Sequence, residues 1–296
     1  MSTRFIHAMH ALAAIALTIS VASTSTADTI IAEFLAGAPV PGDGLWYYGD
    51  MQAGGQASIV NLTGAGGNLE ANQPLPIGAA LLTTDGNNSS RADVGTFADF
   101  GDAAAFLSNV QLSYSFYKEA VVGGNQFAAP SLKLEIFAPA GTGDNYGHLI
   151  YEPGWNQPTA GSQPVPTGDW QSVSIDSNTG SFASTTDGDG SGGWWWSGGF
   201  EVPSGAGGPP IRSLNEWITT FQSSDPTDFA NARVVGIRMG VGTFNQNQIG
   251  YFDDVSYAVN GGASATWNFE PVPEPTSVAL LGLATAALIS VRRRKS

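Results

Sequence analysis

Apolar and polar residues alternate with period two over several short runs of this chain. From Asn109 to Lys118, the residues Val110, Leu112, Tyr114 and Phe116 fall on one side. From Ser131 to Phe137, Leu132, Leu134 and Ile136 point one way, and Lys133 and Glu135 the other. From Arg233 to Val241, Val235, Ile237, Met239 and Val241 share a side. From Ile249 to Val259, Tyr251, Asp253, Val255, Tyr257 and Val259 do so. Such alternation predicts strands with one buried face. Trp170 to Ile175, Thr266 to Phe269, and the less regular 28–35, 57–62 and 79–84 bring the expected number to about nine. Turns rich in Gly, Asn, Asp and Pro separate them at fairly even spacing, the pattern of a β-sandwich. One segment has the helical period instead. Ser213-Leu214-Asn215-Glu216 is a capping box, and Leu214, Trp217, Ile218 and Phe221 then form one apolar face before Pro226 ends it. This predicts a single short helix over a sheet edge, with its aromatics in the core.

Composition agrees with an all-β body and closes several function classes. Of 296 residues, 42% are hydrophobic and 12% charged, with 38 Gly, 17 Pro and no Cys. That apolar fraction excludes a wholly disordered chain. The lack of Cys excludes disulfides, thiolate metal sites and a Cys nucleophile. Acids outnumber bases 25 to 11, a formal charge of -14. Five of those bases lie at the ends, at Arg4, Arg292, Arg293, Arg294 and Lys295. Residues 28–271 therefore hold 24 acids against six bases, a net charge of -18. A body this acidic excludes nucleic acid as a partner and attracts divalent cations. Solubility alone is an equal reading of the charge.

The ends differ from the body. Arg4, His7 and His10 precede an apolar run, Ala11 to Val21, and small residues follow to Ala27. This predicts a signal peptide over 1–27, too short for the roughly 20 residues of a membrane span. At the other end, Pro273-Glu274-Pro275 precedes an apolar stretch, Ser277 to Val291, and then Arg292-Arg293-Arg294-Lys295. As a helix that stretch reaches about 22 Å, and snorkelling Arg and Lys extend it across a bilayer. The basic end stays cytoplasmic and leaves the body outside.

This tripartite tail over 271–296 resembles the bacterial PEP-CTERM sorting signal, with Pro273, Glu274 and Pro275 as its triplet, a transmembrane helix and a basic end. The resemblance implies processing by an exosortase, a transient inner-membrane anchor, and then the cell surface or the exopolysaccharide and biofilm matrix of a Gram-negative bacterium. The body, 28–270, resembles jelly-roll sandwiches of the galactose-binding-like and carbohydrate-binding-module type. The residues that carry this are the strand from Trp170, Val234-Val235-Gly236-Ile237-Arg238, and Tyr251-Phe252-Asp253-Asp254-Val255-Ser256-Tyr257. It implies sugar binding, and a structural calcium held by one of Asp253 and Asp254 with an acid from near the N-terminus, such as Glu33, Asp43 or Asp50.

Three clusters carry candidate chemistry. Asp253 lies on an apolar strand face, where a carboxylate is either hydrogen-bonded or metal-bound because burying it unpaired is costly. Asp254 points outward unless a bulge reverses the phase. Asp187-Gly188-Asp189-Gly190-Ser191-Gly192 matches half of a calcium loop, but Gly198 stands where the twelfth-position Glu belongs, so a plain turn is the other reading. Trp194-Trp195-Trp196 on a strand divides between two faces, and an outward indole, like Trp155 in its Gly/Pro-rich loop, could stack on a sugar ring or simply cap the core. His148 is the only histidine outside the signal, and no nucleophile elbow, phosphate loop or zinc-protease motif is present. The expectation is a non-enzymatic, exported protein that binds extracellular polysaccharide. A non-binding matrix protein and a two-carboxylate hydrolase are the alternatives.

Overall fold

A computed structural model describes residues 29–52, 54–139, 145–158, 161–180, 192–205 and 208–271. The signal segment 1–27, the Asp187 to Asp189 loop, and the sorting segment with Pro273, Glu274, Pro275 and Arg292 to Lys295 lie outside the described residues. Among the described residues, no helix is long and apolar enough to cross a membrane.

The architecture is a sandwich of two seven-stranded sheets. The first contains β1 (Thr29–Ile31), β4 (Gln56–Asn61), β5 (Gly78–Thr83), β7 (Val110–Lys118), β10 (Trp170–Ile175), β13 (Ile249–Val259) and β14 (Ser264–Asn268). The second contains β2 (Phe34–Leu35), β3 (Trp46–Tyr48), β6 (Ala92–Asp102), β8 (Ser131–Phe137), β9 (Tyr146–Tyr151), β11 (Trp195–Gly198) and β12 (Arg233–Val241). The order across the second sheet is β11-β9-β8-β12-β6-β3-β2. All the predicted strands form. The run 28–35 divides at Ala32, its halves joining different sheets as β1 and β2. Strands β3, β6, β9 and β11 had no clear signature in the alternation.

Leu132, Leu134, Ile136, Leu149, Ile237 and Met239 of the second sheet face Leu112, Tyr114, Phe116, Phe252 and Val255 of the first in one continuous core. Each such side chain contributes on the order of 1.5–3 kcal/mol by leaving water. Helix α3 (Leu214–Ser224) begins at the predicted capping box: the Ser213 amide donates to the Glu216 carboxylate at 2.9 Å, and the Glu216 amide to the Ser213 hydroxyl at 3.3 Å. Its apolar face closes an open end of the core. There Trp196 and Phe221 lie 4.7 Å apart between centroids, and Trp217 stacks on Phe221 at 5.4 Å. The expectation of a single helix is corrected. Shorter helices form at α1 (Gly67–Ala71), α2 (Ala103–Asn109), capped by Asp102, and α4 (Pro226–Phe229).

Two bulges correct the predicted strand faces. In β12 the register slips between Val234 and Gly236, so Val234 takes the core position and Val235 is half-buried. In β13 it slips between Asp253 and Ser256, where Asp254 has a left-handed φ of 53°. One extra residue reverses the alternation. Phe252 and Val255 both enter the core, and Tyr251 turns to the outer face against Tyr117. The sheet also forks here: β7 follows one side of β13, while on the other side β5 pairs with Ile249 to Phe252 and β14 with Val255 to Ala258.

Candidate functional site

The outer face of the second sheet holds a polar network that is nearly as buried as the core. Strand register sets it out in rows. Trp195, Ile150, Lys133, Arg238, Gly95 and Tyr47 lie side by side across six strands. Ser197, His148, Glu135, Gly236 and Phe97 form the next row. Asp93 lies opposite Gly240 in the row on the other side of Lys133 and Arg238. These are the alternate positions of strands whose other residues fill the core.

Lys133 donates to the Asp93 carboxylate, and both are almost fully buried. Arg238 reaches Glu135 through Nε at 2.6 Å and Nη2 at 2.5 Å, and it lies 3.5 Å from Asp93 through Nη1. Its guanidinium also covers the Phe97 ring at 4.8 Å. Two cations thus face two carboxylates, and Glu135 Oε2 accepts from two nitrogens of the Arg238 guanidinium. Glycines make room for them. A Cβ at Gly95 would fall 2.6 Å from Arg238 Cγ, and one at Gly240 would fall 2.8 Å from Asp93 Oδ2 and 3.0 Å from Lys133 Nζ. The long side chains therefore lie flat on the backbone. Charges locked together over a dry sheet form a rigid floor of donors and acceptors.

The edges of this floor titrate unusually. His148 donates to or accepts from the Tyr146 hydroxyl at 3.1 Å and lies 3.9 Å from Glu135. Burial, reinforced by Arg238 and Lys133, pushes it down to about 4, so its imidazole is neutral at physiological pH. Burial and the Glu135 carboxylate push the Tyr146 phenol up. Burial also pushes Glu152, at the end of β9, up to about 7, although Lys133 and the Trp195 indole pull it down.

Aromatic rings rim the floor. Tyr146 and Phe137 are register partners on β9 and β8, and each exposes more than a third of its surface, at 38% and 36%. Phe97 and Trp155 are half-buried. Trp195 lies on this face, packed with Ile150, Ile211 and Trp155. The other two members of the Trp run do not belong to it. Trp194 and Trp196 are fully enclosed in the core, beside Tyr151 and Phe221, so neither has a ring face open to a sugar. The period-two division of the run therefore holds, with two rings inward and one outward. Tyr146, Phe137, Phe97, Asp93 and Arg238 were not singled out from the sequence. Their one signal was the Lys133-x-Glu135 alternation opposite Leu132, Leu134 and Ile136.

Asp253 lies elsewhere, at the fork of the first sheet. It is fully buried, and Oδ1 accepts from the Phe269 amide at 3.0 Å. Its other oxygen has no partner among the described residues, and the same is true of buried oxygens on Asn268 and Glu270. Burial, with help from Asp254 and Glu270, pushes Asp253 up to about 7. Two of the suggested partner acids are engaged elsewhere: Asp43 accepts from Tyr47 and the Leu45 amide, and Asp50 pairs with Arg91. Glu33 is exposed in the turn between β1 and β2. No group of three or more Asp, Glu or His side chains converges on one point among the described residues. The buried oxygens on Asp253, Asn268 and Glu270 are of the type calcium takes.

Comparison with known proteins adds a sorting motif and a likeness of architecture. Residues 271–295 match the PEP-CTERM protein-sorting motif. No curated protein matches the sequence. A family 11 carbohydrate-binding module from Clostridium thermocellum, solved with a β-1,3-1,4-mixed-linked tetrasaccharide, is similar in structure at 12% identity and a TM-score of 0.35, over 76% of this chain and 89% of the module. A putative sugar binding protein from Bacteroides thetaiotaomicron is similar at 10% identity and a TM-score of 0.37, over 79% of this chain and 95% of that one.

Proposed function

We propose that this is an exported, non-enzymatic protein that binds extracellular polysaccharide across the outer face of its second sheet. The observation that carries the reading is the pairing of a fixed polar floor with exposed rings at its rim. A sugar presents hydroxyls that need donors and acceptors already in place, and C–H faces that pack on aromatic rings. Arg238, Lys133, Glu135 and Asp93 supply the floor, and Tyr146, Phe137 and Trp155 supply ring faces. The face is read as binding rather than catalytic because Asp93 and Glu135 are each held by cations, which leaves neither free as a nucleophile or base. Affinity electrophoresis through a panel of bacterial and plant polysaccharides tests it. At least one should retard the protein, with Tyr146→Ala and Trp155→Ala each weakening retention about tenfold, about 1.4 kcal/mol. Unretarded migration in every gel would leave the non-binding matrix role in its place.

The sorting motif supports the route. The signal segment would direct export, the apolar tail would hold the inner membrane transiently, and an exosortase would release the body to the surface or matrix of a Gram-negative cell. Deleting residues 272–296 should shift the body to a different cell fraction, and an unchanged distribution would contradict the route.

A structural calcium at Asp253 is part of the same proposal. The three buried oxygens without partners fit such an ion in chemical type. Adding calcium should raise the melting temperature of the chelator-treated protein, and Asp253→Asn should abolish the rise.

A further inference from the structure

One cation of the body stands apart from all those described so far. Arg91, Lys133, Arg233 and Arg238 are each paired with a carboxylate. Arg212 lies over the Trp217 ring at 4.9 Å and bonds Thr220. Lys118, at the end of β7, has no carboxylate within ion-pair distance among the described residues. Its ammonium donates to two backbone carbonyls, Asn125 at 2.9 Å and Gln126 at 2.7 Å. Only 4% of the residue is exposed. Burial alone lowers its amine to about 8, with no charged neighbour opposing the shift. A buried ammonium without a counter-charge is costly, and Lys118 keeps one N–H beyond its two carbonyl partners.

That side chain lines an open cavity of about 250 Å³, walled by the 119–126 loop, Val165, Thr167 and Gln248. The space suits one small group rather than a chain of sugar rings. Gln248 is nearly buried and is held in place by the carbonyls of Asn125 and Gln246. Glu119 is the one acid of the cavity wall, and it sets a limit: a diffuse polyanion meets its charge, whereas a single oxyanion placed at Lys118 gains a partner there. The cavity belongs to a strand end of the first sheet, so it is distinct from the outer face of the second.

We propose that the Lys118 cavity is a binding site for one oxyanion, the carboxylate of an acidic sugar or a sugar sulfate ester, whose negative charge completes the buried ammonium. The proposal does not depend on the second-sheet site. Titration calorimetry of the purified full chain with sodium glucuronate, galactose 6-sulfate and neutral methyl glucoside tests it. Heat with glucuronate alone assigns a carboxylate, heat with the sulfate alone assigns a sulfate ester, and heat with both assigns a general oxyanion site. Each supports the proposal if methyl glucoside binds at least tenfold more weakly and Lys118→Met removes the heat while the melting curve stays cooperative. Because that variant could fail to fold, a second readout uses the unaltered protein. Acetic anhydride labelling, read by peptide mass spectrometry, should slow severalfold at Lys118 when the bound anion is present and stay constant at Lys133. No heat with either anion and no protection of Lys118 would overturn the proposal and leave the lysine as a strut for the loop. Equal binding of the neutral sugar would overturn it as well.

Discussion

Asp253 illustrates how the burial of one side chain can be read from sequence while its place in the strand is not. The sequence set it on an apolar strand face, and it is buried. The bulge at Asp254 was visible only as a possibility, because a bulge is set by what two neighbouring strands require and not by the strand's own alternation. Its raised pKa gives a prediction with a definite sign. The folded protein holds a proton on Asp253 up to about pH 7, while an unfolded aspartate releases it near pH 4. Folding therefore takes up a proton between those values, and this group's contribution to stability falls as pH rises from about 4 to about 7. Denaturant midpoints at pH 5 and pH 8 in chelator should show that fall, and Asp253→Asn should flatten it. An equal slope in both proteins would assign the effect to other groups. At the same scale, Trp196→Ala should cost about 3–5 kcal/mol, since it empties a buried aromatic site beside Phe200 and Phe221. Trp155→Ala, at a half-buried position, should cost much less in stability.

Among the elements, the strands legible in the sequence were those with one apolar and one polar side. β7 and β8 read correctly down to the individual faces, and α3 read correctly from its capping box. Ser213→Ala should lower stability by about 1 kcal/mol, measured by urea unfolding. The strands that escaped notice, β3, β6 and β9, all belong to the second sheet. In β6 the residues Ala92, Asp93, Val94, Gly95 and Thr96 are all buried, so the alternation of wet and dry that marks a strand is missing. In β9 the residues Leu149, Ile150 and Tyr151 are buried in succession for the same reason. The face that carries the proposed site thus hid its own strands, because a polar network sealed over a sheet leaves no solvent-facing positions to read. Gly95 follows from that packing. Gly95→Ala should displace Arg238 and reduce polysaccharide retention while leaving the core unchanged, which separates the network's role from stability.

For the whole molecule, the ends and the body were legible from different signals. The sorting motif at 271–295 was legible because it is defined by sequence order and needed no fold to be seen. The sandwich was legible as a class, since turn spacing and strand composition report architecture. The proposed binding face was not, because it is assembled from strands distant in the chain: Asp93, Lys133, His148, Trp195 and Arg238 meet only through sheet register. The net charge of -18 over residues 28–271 also changes meaning at this scale. Four of the six body cations are spent on internal carboxylates, so most of the 24 body acids have no cation to offset them, and binding to an acidic polysaccharide should strengthen as salt or calcium screens the repulsion. The central claim is that a polysaccharide lies on the outer face of the second sheet. Its most direct test is an indole N–H spectrum of the 15N-labelled protein, titrated with the polysaccharide that retards it most in gels. The signals of Trp155 and Trp195 should shift while those of Trp46, Trp196 and Trp217 stay fixed. Shifts confined to other indoles, or none at saturation, would contradict it.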